Sequence, residues 1–250
     1  MTEASVADAG TAQAISHRGF TMTVGQENFL ETLRERYRDP LLTVLTALLL
    51  FVMFVVAPLQ AVGIATFQAL GIFAAMAMMI GVLILSGSSI AVFALLVAIS
   101  MNVFVIILRL RGTPSAYDLH MIAAAWLVLS ITLGAVVGRA VFAPGAVNYH
   151  RIVGAVLLYL LIALAFVALF VFVGLLIPNS FSGLVLEDNA KLASSTIYFS
   201  FVTLTTVGYG DIVPIDPIAR SLCNLEAICG QLYPATLLAR IVTLEVASRG

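Results

Sequence analysis

Thr205-Thr206-Val207-Gly208-Tyr209-Gly210-Asp211 is the stretch of this chain whose residue types and order are suited to a definite chemistry. It holds no set of nucleophile, base and acid. What it offers is backbone oxygen. A string of backbone carbonyls in such a run can replace the water around a potassium ion. Glycines at 208 and 210 allow the positive-φ geometry that lets successive carbonyls face the same way.

The surroundings of that run are apolar. The chain has 250 residues, 62% hydrophobic and only 10% charged, with a mean hydropathy of +1.11. A soluble domain carries roughly a quarter charged residues, so this composition belongs in a bilayer, with lipid as an obligatory neighbour. A net charge of −1 leaves no basic surface for nucleic acid. Cys223 and Cys229 stand more than a helical turn apart in one apolar run, which argues against an internal disulfide. Neither His nor Cys clusters at metal-ligand spacing, and the titratable groups are scattered. An enzyme is therefore not expected, and no cofactor.

Apolar runs of about 20 residues cross a bilayer as helices. Six are legible, over 41–58, 62–85, 89–108, 120–142, 152–177 and 217–243. Pro58-Leu59-Gln60-Ala61 separates the first two, and Ser86-Gly87-Ser88 the next pair. Gly112 and Pro114, then Pro144 and Gly145, punctuate the later breaks. Residues 1–26 are small and polar, with the composition of a disordered cytoplasmic N-terminus. Over 27–39, Phe29, Leu30, Leu33 and Tyr37 share one helical face opposite Arg34, Arg36 and Arg38. That pattern suits an amphipathic helix at the membrane interface, stopped before Pro40, or a solvated helical extension. With both termini cytoplasmic, eight of the 12 basic residues lie inside and four outside, as the positive-inside rule asks.

Between the fifth and sixth runs, Pro178 to Lys191 is polar enough for external water. Leu192 to Leu204 is about 20 Å long as a helix, too short to cross the membrane. Ser194, Ser195, Thr196 and Ser200 suit it to protein rather than lipid. Such a half-length helix ends at mid-membrane, where its dipole places partial negative charge toward a cation. Extended backbone beyond it is tolerated at that depth only when it lines a pore or is buried in protein.

From Tyr198 to Asp211 the chain resembles the pore helix and selectivity filter of the tetrameric potassium channels. The resemblance covers roughly residues 150–245, as outer helix, pore loop and inner helix, and in helix number the chain resembles the six-helix members. It implies an all-α membrane protein of six transmembrane helices with a re-entrant pore helix and filter. The first four helices would form a domain over 40–143, ahead of a pore domain over 150–245. One pore loop per chain implies a homotetramer.

By the same resemblance, carbonyls of Thr206, Val207, Gly208 and Tyr209 bind potassium, with Gly210 completing the filter and the Thr206 hydroxyl closing the innermost site. Thr205 and Asp211 flank it as support. Tyr209 is expected to point away from the axis and pack on Tyr198 and Phe199. Some members pair the filter aspartate with an acid on the pore helix; Val202 stands there in this chain, and Tyr198 is the expected partner of Asp211.

Gly230 falls where the resemblance places the inner-helix hinge, and it equally suits close helix packing. Pro234 removes a helix hydrogen bond and is expected to kink the sixth span. Gln231, Pro234 and Leu238 are expected to line the cavity. Glu226, an acid within a span, is a functional candidate by default: either a carboxylate ring near the cavity or a partner for a pore-helix hydroxyl, Thr203 or Ser200. The first four spans lack the arginine ladder of a voltage sensor. The fourth holds only Arg139, near its end. Only about two helical turns follow the sixth span, so a C-terminal sensing domain is not expected, and the compact build points to a prokaryotic plasma (inner) membrane. The expected function is passive, potassium-selective conduction. The alternative is a non-conducting or partner-dependent subunit that keeps the pore fold.

Overall fold

The first helix is held by a stripe of leucines. Leu42, Leu45, Leu49, Met53 and Val56 recur at three- and four-residue spacing, and all are buried. Leu42, Leu45, Leu49 and Met53 pack with Leu133, Val137, Leu157, Leu160 and Leu161 in one cluster. The structure, a computed structural model, describes residues 40–63, 89–110, 118–142, 149–187 and 190–249. Its helices are α1 (Pro40–Ala61), α2 (Ser89–Leu110), α3 (Asp118–Val141), α4 (Tyr149–Leu176), α5 (Ala190–Leu204) and α6 (Pro217–Arg249). The interfacial helix expected over 27–39, the N-terminal residues 1–26 and nearly all of the second expected span lie outside the described residues.

Pro58 does not end α1. The helix passes into a π-helical segment, Val52–Val56, just before it, and continues helically to Ala61. Proline lacks the N–H that would close the local ladder. A wider π turn is a common way for a helix to absorb such a mismatch. The Pro58–Ala61 break expected from the sequence is therefore helix.

Among the described residues, α1, α3 and α4 are long and apolar enough to cross a membrane. The apolar stretch of α2 over Ser89–Val105 is shorter. The sixth expected span forms as a single helix, but α6 is not among the three. It carries Arg220, Glu226, Gln231 and Arg240, and so is less apolar than α4. Much of the apolar surface of α1 and α2 faces outward, including Phe51, Phe54, Ile90, Phe93 and Phe104.

Hydrogen bonds tie the helices at their polar points. Thr43 Oγ1 lies 3.0 Å from His150 Nδ1, joining α1 to α4. The Tyr233 hydroxyl donates to the Ala155 carbonyl at 2.8 Å, joining α6 to α4. Arg240 Nη2 donates to the Phe142 carbonyl at 3.0 Å, and its guanidinium lies 4.8 Å from the centre of the Phe142 ring.

Two short strands form, the first of them in the segment read from sequence as polar. In β1 (Phe181–Ser182) and β2 (Val213–Pro214), antiparallel, Phe181 faces Pro214 and Ser182 faces Val213. The amides of Ile215 and Asp216 donate to the Ser180 carbonyl at 2.8 and 3.2 Å. The segment after Asp211 is thus pinned to the loop after α4. Asp216 then starts α6: its Oδ1 accepts the Ile218 amide at 2.8 Å, ahead of Pro217 at the first helical position.

Candidate ion-conducting site

The C-terminus of α5 builds the site. Thr206 has φ +59, in the left-handed region. Its amide donates to the Thr203 carbonyl at 2.9 Å, and the Val207 amide donates to the Val202 carbonyl at 2.9 Å. These two bonds form a Schellman cap with Thr206 in the position glycine usually takes. A β-branched residue there is a conformational outlier. The Thr206 hydroxyl donates to the Thr205 carbonyl at 2.7 Å, and Gln231 Nε2 donates to Thr206 Oγ1 at 3.0 Å.

Beyond the cap the backbone alternates. Thr206, Gly208 and Gly210 have φ of +59°, +57° and +83°, and Val207 and Tyr209 between them do not share the positive-φ region. Val207 and Tyr209 are 53% and 71% exposed, so one chain supplies one open wall. The run lies directly past the negative end of the α5 dipole.

Tyr209 stacks on Tyr198, with ring centroids 6.2 Å apart and planes within 6°. The Tyr198 hydroxyl and the Asp211 carboxylate act on each other electrostatically. Phe199 does not join them. It packs on Phe170 of α4 and Phe181 of β1, at 4.9 and 5.6 Å between centroids. The expectation that both Tyr198 and Phe199 back Tyr209 is corrected, because adjacent helical residues point in different directions. Thr205 continues the turn, its hydroxyl donating to the Phe201 carbonyl at 2.6 Å.

Three residues of α6 meet the pore loop. Gln231 reaches Thr206. Gly230 lies against the end of α5, where a Cβ would stand 2.7 Å from the Leu204 carbonyl carbon and overlap its oxygen. That contact is close packing of backbone on backbone. Glu226 is fully buried, with its Oε1 2.5 Å from Ser200 Oγ, so it does not face an open cavity. Thr203, the other hydroxyl considered, donates to the Phe199 carbonyl at 2.9 Å. Pro234 sits inside the uninterrupted α6, where its missing N–H leaves the Gly230 carbonyl without an intrahelical donor.

Some contacts had no clear sequence signal. Phe54 of α1 packs on Phe201 of α5 at 5.0 Å between ring centroids, which places the first helix directly on α5. Tyr233 of α6 stacks on Tyr159 of α4 at 5.9 Å. Only the presence of aromatics on apolar helices hinted at either.

Between the long helices α4 and α6, the short α5 thus runs into a glycine-bearing segment whose residues Thr205 to Asp211 are exposed. Residues 156–246 match the family model described as "Ion channel". Over 47 residues, 18% of this chain and 16% of the relative, it is 47% identical to the inward rectifier potassium channel Kirbac3.1 of Paramagnetospirillum magnetotacticum. Over 65 residues it is 38% identical to Protein LctB of Bacillus caldotenax and 34% to Protein LctB of Geobacillus stearothermophilus, covering 26% of this chain and 45% of each relative. The chain thus spans less than half the length of each of these curated relatives. No solved structure matches. The likeness to the potassium channel family rests on this pore segment.

Proposed function

We propose that this protein is a potassium-selective channel that conducts passively through a pore built from four copies of the chain. The observation that carries the proposal is the alternation of positive φ at Thr206, Gly208 and Gly210, immediately past the C-terminus of a short helix. Carbonyls of Thr206, Val207, Gly208 and Tyr209, with the Thr206 hydroxyl innermost, substitute for the hydration shell of K+. One exposed wall per chain supports a closed ring of copies, and closed symmetry is the usual form of a homo-oligomer. Six helices cross the membrane in this reading. The less apolar α6 faces the water-filled pore, and both termini lie on the cytoplasmic side of the plasma membrane. Gating does not use an arginine ladder, since α3 carries a single basic residue, Arg139, in its last turn.

Potassium flux into proteoliposomes, with sodium as control and the oligomer mass measured in detergent, tests the proposal. Potassium flux well above sodium from a fourfold particle is the expected result. Equal fluxes defeat selectivity. Absence of flux from an intact particle favours a non-conducting or partner-dependent subunit.

A further inference from the structure

Glu226 is an acid with no place in the ion path described above. Its side chain is enclosed by residues of its own chain and is 0% exposed. Oε1 lies 2.5 Å from Ser200 Oγ on α5. Ser200 Oγ lies in turn 3.0 Å from the Ala163 carbonyl oxygen on α4. Oε2 is buried with no hydrogen-bond partner among the described residues. The titratable neighbours are Tyr159 from α4 and Cys223 from α6 itself. From α5 only the Ser200 hydroxyl acts on it, and among the described residues no basic group does.

Proton counting decides how these three groups are joined. A serine hydroxyl has one proton to give and lone pairs to accept with. The Ala163 carbonyl can only accept, so it takes the Ser200 proton. The contact between Ser200 and Glu226 then needs a proton from the carboxyl. If the carboxyl were ionised, Ser200 would give its one proton to Oε1. The Ala163 carbonyl would then face oxygen lone pairs, and Oε2 would hold charge with neither donor nor cation beside it. A buried arrangement of that kind is strongly unfavourable.

We infer that Glu226 is a positioning residue for the filter, working as a neutral carboxyl that donates to Ser200, which passes the bond on to Ala163. The chain of bonds links α6, α5 and α4 through one buried point. It lies half a turn before Val202, whose carbonyl accepts the Val207 and Gly208 amides at 2.9 and 3.3 Å. One turn after Glu226, Gly230 sits on the Leu204 carbonyl. The two contacts fix where α5 ends, and so where Thr206 to Gly210 begin. The inference rests on the proposed function for its consequence in selectivity, but not for the protonation of Glu226.

Infrared difference spectroscopy on the purified assembly at neutral pH separates the two. Wild type minus Glu226→Gln is expected to show a protonated-carboxyl C=O band, and Ser200→Ala to shift that band to higher frequency. A carboxylate band at that difference, or no shift in Ser200→Ala, overturns the relay. For positioning, Glu226→Gln retains an amide donor and is expected to keep the wild-type K+/Na+ flux ratio, whereas Glu226→Leu loses about tenfold or more of it. If Glu226→Leu does not assemble, Ser200→Ala is expected to lower the ratio in its place. An unchanged ratio in Glu226→Leu, or in Ser200→Ala where it stands in for it, overturns the positioning role. A wild type without selectivity but with the carboxyl band defeats the channel proposal alone.

Discussion

Gly230 of α6 lies directly beneath the carbonyl of Leu204, the last residue of α5, with no room for a side chain between them. A backbone carbonyl cannot move aside as a flexible side chain can. The glycine is therefore fixed by packing, whatever bending α6 undergoes. Gly230→Ala is expected to destabilise the assembly by about 1–3 kcal/mol, the usual cost of overpacking, as measured by thermal unfolding in detergent. A residue acting only as a hinge would leave the melting temperature unchanged and alter channel opening alone.

Gly208→Ala and Gly210→Ala test the alternating backbone. Each places a Cβ on a residue with positive φ, which costs an L-residue roughly 1–2 kcal/mol. Both variants are expected to lose preference for potassium over sodium in proteoliposome flux. Selectivity at the wild-type level in either would show that left-handed geometry at that position is not required.

Gln231 holds the Thr206 hydroxyl from below. Replacement by leucine, similar in volume but without a donor, frees that hydroxyl. Block by barium, a divalent ion close to potassium in size, reads the innermost site. Gln231→Leu is expected to change its apparent affinity about 2- to 10-fold, the range of one net hydrogen bond, with single-ion conductance little altered. No change in barium affinity would remove Gln231 from the innermost site.

Tyr198 acts twice, stacking on Tyr209 and interacting electrostatically with Asp211. Tyr198→Phe keeps the ring and removes the hydroxyl, and Tyr198→Leu removes both. Tyr198→Phe and Asp211→Asn are each expected to make the filter close faster in low potassium, and their combination to add little to either. Tyr198→Leu is expected to exceed both. Additive effects of Tyr198→Phe and Asp211→Asn, read from macroscopic current decay, would break the link between these side chains.

Arg240 reaches from α6 to the end of α3, bonding the Phe142 carbonyl and lying over its ring. Arg240→Lys keeps the charge but loses the planar fork. It is expected to loosen the inner end of α6, detected as faster amide exchange around residues 236–243, with the filter region unaffected. Equal protection in both proteins would make Arg240 a surface charge only.

Hydropathy and residue order determined much of this protein before any tertiary contact. The apolar composition and the span lengths of α1, α3 and α4 are local properties, readable from runs of side chains. So is the filter run, because glycine and threonine at fixed positions carry backbone geometry within themselves. The sequence also singled out Glu226 as an acid within a span, Gly230 as a hinge or packing residue and Gln231 as a cavity-lining one. It could not say what each one touches. Whether Gly230 bends or packs depends on the Leu204 carbonyl, 26 residues earlier in the chain. Whether Glu226 faces water or serine depends on how α6 rotates against α5 and α4. Phe199 was assigned to the filter by its neighbourhood in sequence, yet one step along a helix turns it toward Phe170 and Phe181. The proposed fourfold passage is likewise no property of one chain, since a single copy would carry one wall. Local backbone preference is written residue by residue. Contact between distant segments is set only when helices choose their faces, and that choice is made by the whole packed molecule.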